Sequence, residues 1–439
     1  MIAIRCLLAS ALAALALTAA VAADEETGAP SDEVFCVRPE GQAYGRGDGS
    51  DWANALSGFP PAKGGAWGDG PGKIGAGDTL LVAGGEYRTV WSPGAGGAEG
   101  RPLAIRRATA DSHGPAAGWE AALDAPVRIV GPGYIELSGL AFVTLDGATD
   151  EGIATASDGN RGLVIRDCRD VLVERVRTDG SVNRDSYRGL DLRSSERVTV
   201  RRSTIANCPN DAVLMLGMKQ AVIEHCRLGP RIAPAPGNYG WHADLIEARG
   251  NSEIDFRWNR VAWAADGVFL FESNGPWRIY GNVFSSGPGA AEPAGKATRT
   301  HSSNKPNGPV AIHNNVFHRL YAGIAYGSET AGTARNNVFY ECLHFPFGPV
   351  DHDWNYYFGC GQDVAEPHKL TGPDPFVDAA AGDFHLKAGT AAVDGGAPLE
   401  APFNVDAAGA ERPQGKGWDV GAYERPADAP PAESKPSDS

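Results

Sequence analysis

Apolar residues in this chain alternate with polar ones over short stretches and do not recur at helical spacing. Val198-Thr-Val200, Ile254-Asp-Phe256 and Val310-Ala-Ile312 are such runs, each closed by a polar turn. That is the pattern of strands with one buried face. Superposing the runs exposes a repeat. Val200-Arg-Arg-Ser203-Thr-Ile205 matches Ile223-Glu-His-Cys226-Arg-Leu228, Phe256-Arg-Trp-Asn259-Arg-Val261 and Ile279-Tyr-Gly-Asn282-Val-Phe284. Ile312-His-Asn-Asn315-Val-Phe317 and Ala334-Arg-Asn-Asn337-Val-Phe339 continue it, and Trp354-Asn355-Tyr-Tyr357 is a degenerate last copy.

One column of the repeat reads Ser203, Cys226, Asn259, Asn282, Asn315, Asn337, Asn355, at spacings of 23, 33, 23, 33, 22 and 18 residues. A strand-like unit with a period near 22 predicts a solenoid of coils, each too small to bury its own core. The asparagines predict a ladder, in which a buried amide pairs its donors and acceptors with copies one rung away. The L-x-x-L-x-L signature of leucine-rich repeats is absent, and helix-forming stretches are lacking. Earlier strands at Tyr134–Leu137, Gly162–Ile165 and Val171–Val173 extend the solenoid over residues 70–360. Insertions at about 229–241 and 285–308 account for the two long spacings and leave from one corner, where protruding loops build binding sites.

The termini and the charge narrow the picture. Residues 1–23 carry Arg5, an apolar run from Leu7 to Ala20 and small residues before Asp24-Glu25-Glu26. They predict a cleaved secretory signal and hence a secreted or periplasmic protein. The run is shorter than the ~20 residues a membrane span needs, and no later segment qualifies. Residues 24–69 form an N-terminal opening region, 361–424 a C-terminal capping segment, and 425–439 a disordered tail by composition. The net charge of −15 argues against nucleic acid as a partner. It also requires a local basic or metal site for any acidic polysaccharide. Six of the seven cysteines lie beyond the signal, and none forms a C-x-x-C pair.

Four further motifs resemble those of secreted right-handed parallel β-helix proteins of the pectate-lyase-like superfamily. Asp48-Gly-Ser-Asp-Trp52-Ala-Asn-Ala55 is similar to their opening, and Gly77-Asp78-Thr79-Leu80 through Gly84-Gly85-Glu86-Tyr87 to their first coil. Gly100-Arg-Pro-Leu-Ala-Ile105 resembles the strand after it. Asp374-Pro-Phe376, Asp383-Phe-His-Leu386, Asp394-Gly-Gly396 and Asp419-Val-Gly-Ala-Tyr423-Glu424 resemble their terminal segment. The resemblance implies an all-β, single-stranded right-handed parallel β-helix. It does not choose among the superfamily's lyases, epimerases, hydrolases and adhesins.

Candidate chemistry falls in four places. Trp241-His242-Ala243-Asp244 distantly resembles the Asp-Pro-His-Asp motif of mannuronan epimerases, so His242 could move a C5 proton or simply cap a strand. Asp211, Asp244 and Asp266 each begin a strand of one type, and stacking brings them within about 5–10 Å. Such a column suits calcium, raised carboxyl pKa values, a paired-carboxylate hydrolase, or plain capping of turn amides. An outward column of Glu174, Arg201, Glu224, Arg257, Tyr280, His313 and Arg335 reads as an ion-pair ladder or, from Arg257 to His313, as a sugar-binding face. Arg299, His301 and Lys305 in the second insertion could grip a uronate, with Lys305 as base, or belong to a solvated loop.

The expected function is a carbohydrate-active protein, first a lyase or C5-epimerase of a uronate polysaccharide. In it His242 or Lys305 removes the proton, and Arg257 or calcium on the Asp column neutralises the uronate. A glycoside hydrolase and a non-catalytic polysaccharide-binding protein are the alternatives. Cys342 and Cys360 each lie five residues past a ladder asparagine. Rungs about 4.8 Å apart would admit a disulfide between them, or leave two buried thiols.

Overall fold

The computed structural model describes residues 32–183, 185–232, 244–263, 265–287, 290–301, 305–327 and 330–427. The alternating runs are strands, and each pairs in parallel with its counterpart one coil later. They build three long parallel sheets of 13, 12 and eight strands, with no α-helix among the described residues. One coil runs from Val213–Leu216 in the eight-stranded sheet to Val222–Glu224 in the thirteen-stranded sheet and Arg227–Leu228 in the twelve-stranded sheet. The next repeats it as Ile246–Arg249, Ile254–Arg257 and Arg260–Ala262. Every strand inside these sheets thus bonds along both edges, which parallel sheets need and isolated coils cannot supply.

The asparagine ladder stands at the corner between the thirteen- and twelve-stranded sheets. Asn259 donates from its amide and from Nδ2 to Oδ1 of Asn282 (2.9 and 3.1 Å), and Asn282 does the same to Asn315 (3.0 Å each). Asn315 to Asn337 and Asn337 to Asn355 repeat the pattern. The residue before each rung takes a left-handed φ to turn the corner, as in Trp258 (57°), Asn314 (55°) and Asn336 (58°). A second, shorter ladder lies at the corner between the eight- and thirteen-stranded sheets. There Asn251 Nδ2 donates to Asn274 Oδ1 (3.0 Å), and Asn274 Nδ2 to Asn307 Oδ1 (2.8 Å).

Inside, aromatic rings stack along the axis. Phe284, Phe317, Phe339 and Tyr357 follow at centroid separations of 5.5, 4.9 and 5.1 Å. Similar rings at one position on successive coils let each plane lie offset on the next.

The solenoid is longer than the 70–360 expected. Val34–Arg38 pairs in register with Thr79–Val82 and, on its other side, with Leu56–Ser57, so the opening region supplies the first two strands of the longest sheet. At the other end Leu370–Thr371 closes the twelve-stranded sheet. The C-terminal segment covers a flank of the coils. Phe376, Phe384, Leu386 and Val420 pack on Val283, Val316, Val338 and Tyr356 of that sheet. The expected signal at 1–23 and residues 428–439 of the expected tail lie outside the described residues. No described helix is long and apolar enough to cross a membrane.

Cys342 and Cys360 do share a column on adjacent rungs, two residues past the paired Tyr340 and Phe358. They are nevertheless free thiols, not the expected disulfide. Each sulfur turns to a carbonyl of the preceding rung, Cys342 to Phe317 (3.4 Å) and Cys360 to Phe339 (3.3 Å).

Candidate functional site

The eight-stranded sheet opens on a charged column. In register it reads Arg161, Arg188, Asp211, Asp244, Asp266, Lys296, Ala322. Three carboxylates on consecutive rungs are thus flanked by cations at both ends. Arg188 Nε stands 3.7 Å from Asp211, and Lys296 Nζ stands 3.7 Å from Asp266, which also pairs with Arg299.

Asp266 is therefore engaged by cations, and the tight group has a different third member. Carboxylate oxygens of Asp211, Asp244 and Glu247 lie within 4.8 Å of one another, and all three residues are buried. Asp211 also accepts the Asp244 amide at 3.4 Å, so it braces the next rung as well as joining the group. Burial pushes the Asp244 carboxyl up to about 8, and the neighbouring Asp211 and Asp266 push the same way against Arg299. Burial pulls the Arg231 guanidinium down, while Asp211 and Asp244 hold it up.

Glu247 was not visible from the repeat. It is an outward residue of Ile246–Arg249, in register with Leu214 and Phe269, where a carboxylate looks like ordinary surface. The available signal was the Asp244-x-x-Glu247 spacing. Asp244 lies two residues before the strand Ile246–Arg249 and Glu247 within it, and their carboxylates meet. Glu247 is held by Arg249 Nε at 2.8 Å.

The far edge of this face is aromatic and basic. His301 stacks on Phe271 (4.6 Å, 17°), and the Arg249 guanidinium lies over Phe271 at 3.9 Å. Arg299 covers Phe269 at 4.4 Å, and Lys305 pairs with Glu272 at 3.6 Å. Asp211, Asp244, Asp266, Arg299, His301 and Lys305 therefore all lie along the eight-stranded sheet, with Lys305 beside Glu272 at the opposite end of the Asp266–Glu272 strand from Asp266. Trp241 and His242 lie outside the described residues.

Three expected residues go elsewhere. Arg257, Tyr280 and His313 belong to the thirteen-stranded sheet, where they extend the ion-pair ladder. Arg201 pairs with Glu174 (2.8 Å) and Arg257 with Glu224 (2.8 Å), while Arg257 Nη1 also reaches the Tyr280 hydroxyl at 2.8 Å. Phe403 of the C-terminal segment packs on Tyr280 (5.1 Å) and His313 (4.5 Å). That covering ring closes off the sugar-binding face expected there. Burial pulls His313 down to about 3, helped by Arg335.

Residues 148–305 match a family model described as "Right handed beta helix region". The chain is a right-handed parallel β-helix. Pectate lyase Pel9A shares the fold at 15% identity, over 90% of this chain and 97% of that one, with a TM-score of 0.51. The alginate lyase from Paenibacillus sp. str. FPU-7 aligns at 14% identity over 64% of the β-helix chain and 92% of its own, with a TM-score of 0.43. XylC in complex with xylose aligns at 11% identity over 90% and 99%, with a TM-score of 0.47. No curated protein matches the chain.

The acidic group could hold a hard divalent cation. Asp211, Asp244 and Glu247 offer only oxygen, the donor that calcium selects, at mutual distances one ion can bridge.

Proposed function

We propose that this protein is secreted and acts on a uronate-containing polysaccharide at the outward face of the eight-stranded sheet, by β-elimination or C5 epimerisation. The observation that carries the reading is the buried triplet Asp211, Asp244 and Glu247 bordered by Arg188, Lys296 and Arg299. A uronate needs its carboxylate neutralised before the C5 hydrogen becomes acidic, and an acidic chain must do this locally. Asp211, Asp244 and Glu247 would hold calcium, which when bound supplies positive charge for the substrate carboxylate. Arg299 and Lys296 orient that carboxylate, and the Phe269–Phe271–His301 edge seats a sugar ring. Lys305 or His242 takes the C5 proton. In elimination the C4–O bond then breaks, a C4–C5 double bond forms and the leaving oxygen is protonated. In epimerisation a proton returns to the opposite face of C5.

The proximity of Asp211 and Asp244 supports a second reading, a glycoside hydrolase using paired carboxylates. One experiment separates the possibilities. Purified protein is incubated with a panel of uronate polysaccharides while ultraviolet absorbance of unsaturated ends, new reducing ends and C5 configuration are followed together. Absorbance with chain cleavage means elimination, and inverted C5 without cleavage means epimerisation. Reducing ends without absorbance assign hydrolysis. Binding with no chemical change overturns the enzymatic reading.

A further inference from the structure

Arginines of this acidic chain are mostly matched by a carboxylate on their own or a neighbouring rung, as Arg177 is by Glu151 and Asp179, Arg201 by Glu174 and Arg257 by Glu224. Further along the column of the twelve-stranded sheet that holds Arg177, two arginines break that rule. Arg227 and Arg260 stand directly opposite each other in register. Like charges so placed repel. Among the described residues neither has an ion-pair partner. Arg260 donates instead to the Gly382 carbonyl (3.1 Å) and the Tyr423 hydroxyl (3.0 Å).

The two arginines divide a cleft between the sheet and the C-terminal segment. On one side lies a cavity of about 430 Å³, walled by Ser285, His318, Gly382 and Phe384. On the other lies one of about 210 Å³, walled by His225, Trp258, Gly281 and Tyr423. Arg227 and Arg260 line both, and among the described residues no carboxylate lines either. The larger falls in the range of small-molecule sites, about 300–1,000 Å³.

The polar inventory of the cleft is donor-heavy. The Trp258 indole Nε1–H is buried and has no acceptor. Its position depends on Gly281, because a Cβ there would lie 2.5 Å from Trp258 Cδ1. The Tyr423 hydroxyl accepts from Arg260, so its own proton remains to be given. Asp383, next along the chain from Gly382, bonds His385 at 2.7 Å and feels the Arg260 charge without forming an ion pair with it. Among the described residues two guanidinium groups, an indole N–H and a phenol line the cleft with no carboxylate in ion-pair contact, and guanidinium forks match the oxygens of carboxylates and sulfates.

We propose that Arg227, Arg260 and Trp258 form a second site, on a different sheet from the one above, that binds an oxyanion carried by a small acidic saccharide. The site is non-catalytic and needs no turnover, so loss of the enzymatic reading leaves it standing, and its own loss leaves turnover intact.

The test is titration of the full chain, following the Trp258 indole N–H resonance, with digalacturonate, a neutral glucose disaccharide and inorganic sulfate. Digalacturonate shifts that resonance in the wild type and the neutral disaccharide does not. Arg227→Gln weakens the effect by roughly tenfold or more, the loss of a charge-assisted contact. Arg227 has no ion-pair or hydrogen-bond partner among the described residues, so this variant folds; Arg260→Gln, which also loosens the C-terminal segment, is read only beside a matching melting curve. Competition by sulfate assigns the affinity to the oxyanion alone, and its absence assigns it to the carboxylate on its sugar; both uphold the site. Equal affinity in Arg227→Gln, equal response to the neutral sugar, or no response to any of the three ligands overturns it.

Discussion

Glu366 Oε1 accepts the Asn355 side-chain amide at 2.9 Å, while Oε2 accepts the Asn355 backbone amide at 3.2 Å. The carboxylate thus replaces the next asparagine where the ladder ends. It also receives His352 Nδ1 (2.9 Å) and the Tyr357 hydroxyl (2.5 Å). Glu366→Leu strands these buried donors, each at about 1–3 kcal/mol. The variant is expected to lose several °C of melting temperature, with amide exchange accelerated first at residues 353–358. Uniform exchange along the coils would show that the last rung needs no cap.

The ladder itself was legible because asparagine recurs at five of its seven rungs. The second ladder was not, because its asparagines occupy only Asn251, Asn274 and Asn307, while Ser195 and Thr330 stand in for it elsewhere. Parallel pairing could be read from the repeat, and it correctly brought Asp211, Asp244 and Asp266 to one column. Burial by a distant segment could not. Phe403 covers Tyr280 and His313 from more than 80 residues away, and nothing local announces it. Glu247 was hidden for the opposite reason. Its function depends on what the outward face meets, whereas the repeat reports only which side chains point in.

Arg412 and Glu424 form an ion pair at 2.7 Å with both side chains fully buried. Arg412 also donates to the carbonyls of Asp419 (3.0 Å) and Gly421 (2.8 Å), and so locks the C-terminal segment. Removing one partner leaves the other charge buried. Arg412→Met should therefore cost about 3–5 kcal/mol. Limited proteolysis is expected to cut within residues 394–424 of the variant while leaving the coils whole. Resistance equal to that of the wild type would refute the lock.

His313 gives the fold an acid sensitivity. Its folded pKa, about 3, lies below the ordinary value of about 6.5, so the folded state binds fewer protons than the unfolded chain between those values. Stability from this group is complete above about pH 6.5 and is lost as pH falls towards 3. The groups around it are Thr333, which bonds Nε2 at 2.9 Å, Phe403 and the Arg335 guanidinium. His313→Gln is expected to lower the melting temperature at pH 7 yet shrink the drop between pH 7 and pH 4. An unchanged drop would assign the acid response to other groups.

Burial raises the Cys36 and Cys226 thiols to about 12 and raises Cys360 as well, so the native protein should react slowly with thiol reagents. Cys360, alone of the six only partly buried, is expected to react first. Denatured without reductant, the chain should release both Cys342 and Cys360 as free thiols. A peptide containing both residues joined by a bridge would restore the disulfide.

The two faces proposed for chemistry and for support can be told apart by mutation. Glu247→Gln and Asp211→Asn keep shape while removing charge from the carboxylate triplet, so turnover should fall by about 10²-fold or more. Arg257→Ala should leave turnover nearly unchanged but lower the melting temperature, because Glu224 and Tyr280 lose their shared partner. Calcium supplies a second readout that needs no substrate. A ligand that binds only the folded state stabilises it by about 2.7 kcal/mol at 100 times its dissociation constant. Calcium is therefore expected to raise the melting temperature of the wild type and of Arg257→Ala, and not that of Glu247→Gln. Because Asp244 holds its proton up to about pH 8, the ion must displace that proton below pH 8, and the shift should grow as pH rises from 6 to 8. Turnover lost in Glu247→Gln without any calcium effect in the wild type leaves the paired-carboxylate hydrolase as the surviving reading. Turnover lost in Arg257→Ala alone would move the chemistry to the thirteen-stranded sheet.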